Sequence, residues 1–393
     1  MDAATEFSTR LDRHLARVTA RRGILGAPQV AVSAPGLGID HRFGERAGRF
    51  HVASIGKHFT ATLVMQAVEA GAFTPETPVS ALLPRDELEG LFETEGHADV
   101  AAGATVHDLL THTAGVADYF EGPVTSGRPM QELVLAEPDR FWTPVDLLDF
   151  SRRHQRPVGR PGERFAYSDT GYILLGRVLE EITRRAFHEL LHERILTPLG
   201  MRDTALLFYS VPANDLAAAA AAASAALSTS TMTAPAADLT VSTAAALRIA
   251  PFRLGRHEVS TLRSVSCDWA GGGIVSTPDD LLTFSAALHR GELITPASLA
   301  FLAEPRNRFR SGIRYGAGTM EVRFEGFMPL LRRMPRPVGH IGILATHLFH
   351  DPVHDADIVL NFASTREMVR SFRTLITIEQ ELQRAQHASR ASR

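Results

Sequence analysis

Phe50-His51-Val52-Ala53-Ser54-Ile55-Gly56-Lys57-His58-Phe59-Thr60 places a serine one helical turn before a lysine. A bare Ser-x-x-Lys occurs often in unrelated helices, but composition gives this one weight. The chain has 41 basic side chains, and Lys57 is the one lysine against 40 arginines. Arginine serves wherever a fixed positive charge is enough, and it cannot release a proton near neutral pH; lysine can. A single retained lysine therefore points to an amine that exchanges protons, with Ser54 as an activated nucleophile. Ser54 to Gly71 has the length, apolar content and closing glycine of a buried helix. Ser54 would lie at its N-terminus, where unpaired N–H groups and the helix dipole favour negative charge.

On the N-terminal side, Phe7, Leu11, Leu15 and Val18 recur at helical spacing through residues 5–22, and Gly23 ends the run. Gln29–Ser33 reads as a strand that turns at Gly36-Leu37-Gly38 into a second short strand. From 74 to about 210 the pattern is mostly helical, broken at Pro75, Pro78, Pro84, Pro144, Pro157 and Pro161, with helices at Val106–Thr111 and Gly171–Ala186. Residues 212–250, with the run Ala217–Ala223 and a Ser/Thr/Ala-rich continuation, read as a surface insertion or cover. Gly271-Gly272-Gly273 precedes Thr277 and Pro278, a cap and first residue for a helix over 278–289. Strands are expected at Tyr315–Phe324, Gly339–Phe349 and Ala356–Phe362, then an amphipathic helix over Thr365–Gln386. Strands at both ends with helices between imply one sheet assembled from the two termini. The expected division is an α/β subdomain of 1–73 and 255–393, a helical subdomain of 74–211, and the insertion at 212–250.

Bulk properties narrow the function. The 393 residues are 45% hydrophobic and 22% charged, as in ordinary globular proteins. A net charge of -3 and a pI near 6.6 argue against nucleic acid or an anionic membrane as partner. Cys267 is the single cysteine, so no intrachain disulfide exists, and a buried apolar role is expected for it. Met1–Glu6 is acidic and lacks the apolar core of a secretory signal. No run approaches the ~18 apolar residues of a membrane span. A cytoplasmic location is the expectation.

Three short marks occur in order: Ser54-Ile55-Gly56-Lys57, Tyr167-Ser168-Asp169 and His340-Ile341-Gly342. Together with Asp108–Gly115 and Ala270–Thr277, they resemble the serine β-lactamase and penicillin-binding-protein superfamily, in particular its class C-like, D-alanyl-D-alanine carboxypeptidase and esterase branch. The likeness covers about 25–380. It implies an α/β (α+β) fold of the β-lactamase/transpeptidase type, with an antiparallel sheet flanked by N- and C-terminal helices and an inserted helical lobe. It also implies a Ser54 acyl-enzyme, with Lys57 and Tyr167 relaying protons and Tyr167 needing a depressed pKa that an adjacent ammonium can supply. The oxyanion would be held by the backbone N–H groups of Ser54 and Ile343, and Ile341 and Gly342 would line the substrate.

Two departures from the family pattern bear on mechanism. Asp169 stands where an amide is usual. Near Lys57 it favours the ammonium and shifts the role of base toward Tyr167; turned the other way, it caps the helix that follows. His340 replaces a lysine and would grip a substrate carboxylate less firmly. The expected activity is therefore hydrolysis of a small ester or amide, or acyl transfer from one, with no metal or organic cofactor. The alternatives are a D-alanyl-D-alanine carboxypeptidase or β-lactamase, and a binding protein of the same fold that has lost turnover. His347, His350 and His354 lie in or after a strand, so no metal site is expected from them. His112 is expected to brace its own loop, and Trp269 to pack in the core, while Tyr315 is a candidate for lining a pocket.

Overall fold

The computed structural model describes residues 2–20, 28–92, 103–218 and 249–391. Helix α1 (Ala3–Thr19) starts at Asp2, whose side chain accepts from Thr5 N at 2.7 Å, and it buries the Phe7, Leu11, Leu15 and Val18 stripe. Strands β1 (Gln29–Ala34) and β2 (Ile39–Phe43) form a hairpin, and β3 (Phe50–His51) leads to the nucleophile. Helix α2 (Gly56–Glu69) is buried on all sides over its first ten residues, Gly56 to Met65. The lobe that follows contains α3 (Arg85–Leu88), α4 (Val106–Leu110), α5 (Met130–Ala136), α6 (Pro144–His154), α7 (Asp169–Thr183) and α8 (Phe187–Leu191).

After β4 (Ala205–Leu206) and the hairpin of β5 (Arg253–Leu254) and β6 (His257–Glu258) come the short helix α9 (Trp269–Gly272) and β7 (Ile274–Ser276). Helix α10 (Pro278–His289) is capped by Thr277, whose hydroxyl accepts from Asp280 N, and α11 is Pro296–Ala303. The chain then adds β8 (Asn307–Arg310), β9 (Ile313–Tyr315), β10 (Met320–Val322), β11 (Val338–Gly342), β12 (Thr346–Asp351) and β13 (Ala356–Asn361), and closes with α12 (Met368–Ala391).

Eight strands form one antiparallel sheet in the order β2-β1-β13-β12-β11-β10-β9-β8, so both ends of the chain meet where β1 pairs with β13. Side chains alternate across it. Val30, Val32, Ile358 and Leu360 face α1 and α12, whereas Ala31, Leu348 and Val359 join the larger core that contains Phe284 of α10. Cys267 and Trp269 are buried, as composition and residue type suggest.

Two expected strands are hairpins. Tyr315–Phe324 breaks at Gly316–Thr319, and Gly339–Phe349 breaks at residues 343–345. The second turn carries no glycine or proline; Ala345 adopts φ 57°, so the usual punctuation is missing. The expected alanine-rich insertion lies largely outside the described residues. None of the described helices is long and apolar enough to cross a membrane.

Candidate active site

Ser54 sits in a 3-10 turn, Ala53–Ile55, directly before α2. Ala53 takes φ 52°, a left-handed conformation that costs of order 1–3 kcal/mol outside glycine and persists where packing over-determines it. The packing here is backbone against backbone. A Cβ on Gly56 would lie 2.8 Å from Gly272 Cα, and one on Gly272 would lie 2.8 Å from the Ala53 carbonyl. Glycine at both positions lets α9 sit against the start of α2 and brings the Gly271 carbonyl to Lys57. From the other side, Thr346 Oγ1 donates to Val52 O at 2.8 Å, tying β12 to the same turn.

Lys57 Nζ is fully buried and has three acceptors: Ser54 Oγ at 3.2 Å, Gly271 O at 2.6 Å, and Asp169, with which it forms an ion pair. These match the three protons of an ammonium. Asp169 does not cap the following helix. Ser168 does so, its Oγ accepting from Gly171 N, and Asp169 is the first helical residue, turned to Lys57.

Tyr167 lines the same cleft and recess as Ser54, with Lys57 Nζ 5.2 Å from its ring centre. Burial and then the Asp169 charge push its phenol well above the ordinary value, and the nearby Ser54 hydroxyl acts against them. This corrects the expectation of a depressed pKa. The ammonium that would lower it is already matched by Asp169, so Tyr167 is a neutral phenol. His112 braces this segment: its Nδ1 accepts from Ser168 N at 3.1 Å, and its ring stacks 4.2 Å from that of Tyr167.

His340 is not in the cleft. It is fully buried, with Nδ1 on Ile341 O at 2.9 Å and Nε2 on Tyr315 Oη at 3.2 Å. Burial and the Lys57 charge hold it well below its usual pKa, hence neutral. Its neighbours Ile341 and Gly342 do line the cleft, a cavity of about 500 Å³ with Ser54, Tyr167, Glu121, Phe309, Arg310, Met320 and Ile343 also on its wall. Tyr315 is wholly buried behind the cleft and is no lining residue. Gly342 is required by space: a Cβ there would lie 2.1 Å from Thr346 Oγ1 and 2.6 Å from Val52 O. The backbone N–H groups of Ser54 and Ile343 take no part in the turn, loop and cap backbone bonds of the described residues.

Sequence reasoning missed an acidic wall. Glu121, Asp169 and Asp268 line a recess that also contains Ser54, Tyr167 and Ile343. Asp118 lies just behind them and accepts from Asp169 N at 3.1 Å. Burial first, then the Asp169 charge, raises Asp118 to about 8 and Asp268 to about 7, and pushes Glu121 up as well. No motif spacing links these residues; only the fold gathers them.

A β-lactamase family profile matches residues 45–380. The chain belongs to the β-lactamase family, a family of serine hydrolases. Penicillin-binding protein 4 of Amycolatopsis lactamdurans is 34% identical over 161 residues, 40% of this chain and 36% of that protein. A D-aminopeptidase of Brucella anthropi is 28% identical over 162 residues, 40% of this chain and 26% of that one. These alignments thus span well under half of the relatives' lengths. In fold, the chain is similar to the D-amino acid amidase of Ochrobactrum anthropi SV3 crystallised with L-phenylalanine amide. The TM-score is 0.71 at 22% identity, covering 98% of this chain and 100% of the other.

Proposed function

We propose that the protein hydrolyses small amides or esters through an acyl-enzyme at Ser54, and that its preferred substrates carry an amine near the scissile carbonyl. The observation that carries the reading is the arrangement around Ser54 Oγ: Lys57 Nζ at 3.2 Å, and Tyr167 beside it on the wall of an open cavity.

In this reading Ser54 Oγ bonds to the carbonyl carbon while its proton passes to Lys57, which gives one to Asp169. The N–H groups of Ser54 and Ile343 hold the oxyanion, each contributing roughly 10²–10³ in rate. The tetrahedral intermediate collapses, and the amine or alcohol leaves with the phenolic proton of Tyr167. The proton held by Lys57 and Asp169 then restores the phenol. Water repeats the sequence on the acyl-enzyme. A neutral Tyr167 suits a proton donor to the leaving group, and the Lys57–Asp169 pair suits a proton store.

The acidic wall supports the amine. Burial first, and then the Asp169 charge, raise Asp118, Asp268 and Glu121, and the nearby cations only partly offset them. A substrate ammonium supplies what a proton otherwise would. His340, withdrawn behind the cleft and neutral, offers no grip on a substrate carboxylate. Arg310 on the cavity wall keeps carboxylate-terminated peptides as the second reading.

A substrate panel tests this: α-amino amides of both hands, their N-acetylated forms, simple esters, and peptides ending in D-alanyl-D-alanine. Free-amine amides are expected to exceed their N-acetyl forms in kcat/KM by about tenfold or more, the equivalent of about 1.4 kcal/mol. Equal or better turnover of the N-acetyl forms would remove the amine from the proposal.

A further inference from the structure

On the far side of the sheet from Ser54, the β12–β13 hairpin meets the C-terminal helix through three buried polar side chains. Asp351 ends β12, His354 lies in the turn, and Glu379 projects from α12. Asp351 and Glu379 are fully buried, and His354 is 4% exposed. One donor atom from each lies within 4.8 Å of the others. His354 Nδ1 meets Asp351 Oδ2, and Asp351 Oδ1 accepts from Val353 N at 2.8 Å.

The rest of the trio's bonding capacity is unused. Among the described residues, neither Glu379 oxygen has a donor, and His354 Nε2 has no partner. The polar group that Glu379 faces is Asp351, another acceptor, to which it can bond only by holding a proton. Among the described residues no arginine or lysine pairs with Asp351 or Glu379, and the ion-pair partner of Asp351 is His354. Burial and then the Asp351 charge drive the Glu379 carboxyl well above its ordinary range. An unpaired buried carboxylate is costly enough that it is expected to hold a counter-ion, a metal or a proton.

We propose that Asp351, His354 and Glu379 hold a divalent transition-metal cation of the zinc or manganese class, which fastens the C-terminal helix to the β12–β13 hairpin. Two carboxylates and a neutral imidazole carry a charge of -2, which one divalent ion cancels. Oxygen and imidazole donors suit Zn²⁺ and Mn²⁺, and three protein ligands leave a position for water. A tetrahedral ion bonded at about 2.0–2.1 Å separates its ligand atoms by about 3.3–3.4 Å; the three side chains offer ligand atoms within 4.8 Å of one another and reach that spacing by side-chain adjustment, the His354–Asp351 hydrogen bond included. The exposed turn residues Pro352 and Val353 give the site a short path from solvent. The role is structural and separate from the chemistry at Ser54, although β12 carries it to the nucleophile's turn through Thr346.

Untagged protein is produced with Zn²⁺ or Mn²⁺ in the medium, dialysed, and its metal measured by mass spectrometry, with Tm recorded before and after chelation and after metal is restored. The expected result is about one equivalent per chain, and a Tm that falls by about 5 °C on chelation and recovers on readdition. Glu379→Gln and His354→Gln should lose the metal, while His350→Asn, at a separate His289–His350–Asp357 group, should keep it. Metal-free wild type with a Tm indifferent to chelator and metal would overturn the proposal and leave a proton-sharing cluster. Full metal in Glu379→Gln would also overturn it. If the variants fail to fold, the metal content and chelator response of the wild type decide alone.

Discussion

Asparagine at Asp169 keeps the shape of the side chain and removes one charge from the centre of the site. Lys57 Nζ would retain Ser54 Oγ and Gly271 O but lose its anion. Orphaning one partner of a buried pair costs about 3–5 kcal/mol. An opposing effect comes from the acidic wall, where the Asp169 charge helps hold Asp118 at about 8 and Asp268 at about 7. Each unit by which either relaxes returns about 1.4 kcal/mol. The net expectation at pH 7 is a loss of about 2–4 kcal/mol, measured by urea unfolding of wild type and Asp169→Asn. In the same variant the proposed relay loses the carboxylate that stores the serine proton, so that relay predicts a fall in turnover of an activated amide by about 10²–10⁴, whereas a neutral Lys57 acting alone as base would keep activity. A variant as stable and as active as wild type would refute the reasoning, because Asp169 would then be a bystander and the relay would need another end.

Three further outcomes follow from the same geometry. Lys57→Arg keeps a cation for Asp169 but cannot release a proton, so the protein should fold while kcat/KM falls by at least about 10³; activity within tenfold of wild type would contradict the role of the amine. Gly342→Ala forces a Cβ against Thr346 Oγ1 and Val52 O, and should destabilise by about 1–3 kcal/mol and displace Ile343, with loss of turnover as the second readout. Stability should peak near pH 6.5. His51, His58 and His347 are neutral in the fold, lowered to about 4, 3 and 3 by burial, so stability rises with pH until their unfolded pKa near 6.5 is passed. Asp118 and Asp268 are raised to about 8 and about 7; the unfolded chain ionises them near 4 while the fold holds their protons, so they lower stability as pH rises through those values. Below 6.5 the three histidines outweigh the two carboxyls, and above it only the carboxyls act. A Tm that keeps rising through pH 8 would contradict their burial.

The serine and lysine spacing and several elements were legible because local rules fix them, whereas the fold type and Tyr167 came through the resemblance carried by the three ordered marks. Ser54 and Lys57 are three residues apart across the 3-10 turn that opens α2, whose first ten residues are buried, and the cap at Thr277 and the stripe of α1 are determined within a few residues. The two faces of the Asp169 alternative were separable only in three dimensions. Ser168 took the cap, and with it Asp169 was left to Lys57. His340 shows the limit of motif reasoning. The resemblance implies that it lies beside the nucleophile in space, yet its ring is turned onto Tyr315, and its neighbours Ile341 and Gly342 are the ones that reach the cleft. Asp118 and Asp268 left no signal at all, since each lies far from Asp169 along the chain and is brought to it by packing. The hairpin between β11 and β12 was unreadable for a different reason: its turn is Ile343-Leu344-Ala345, apolar like the strands on either side.

The claim on which the rest depends is that Ser54 carries the acyl group. Intact-mass analysis after incubation with an activated amide or ester, and separately with a fluorophosphonate, measures it directly, with peptide mapping to locate the adduct. One covalent addition on Ser54 in wild type, and none in Ser54→Ala, is the predicted result. An adduct that persists in Ser54→Ala, or wild-type protein that no probe modifies, would contradict the account.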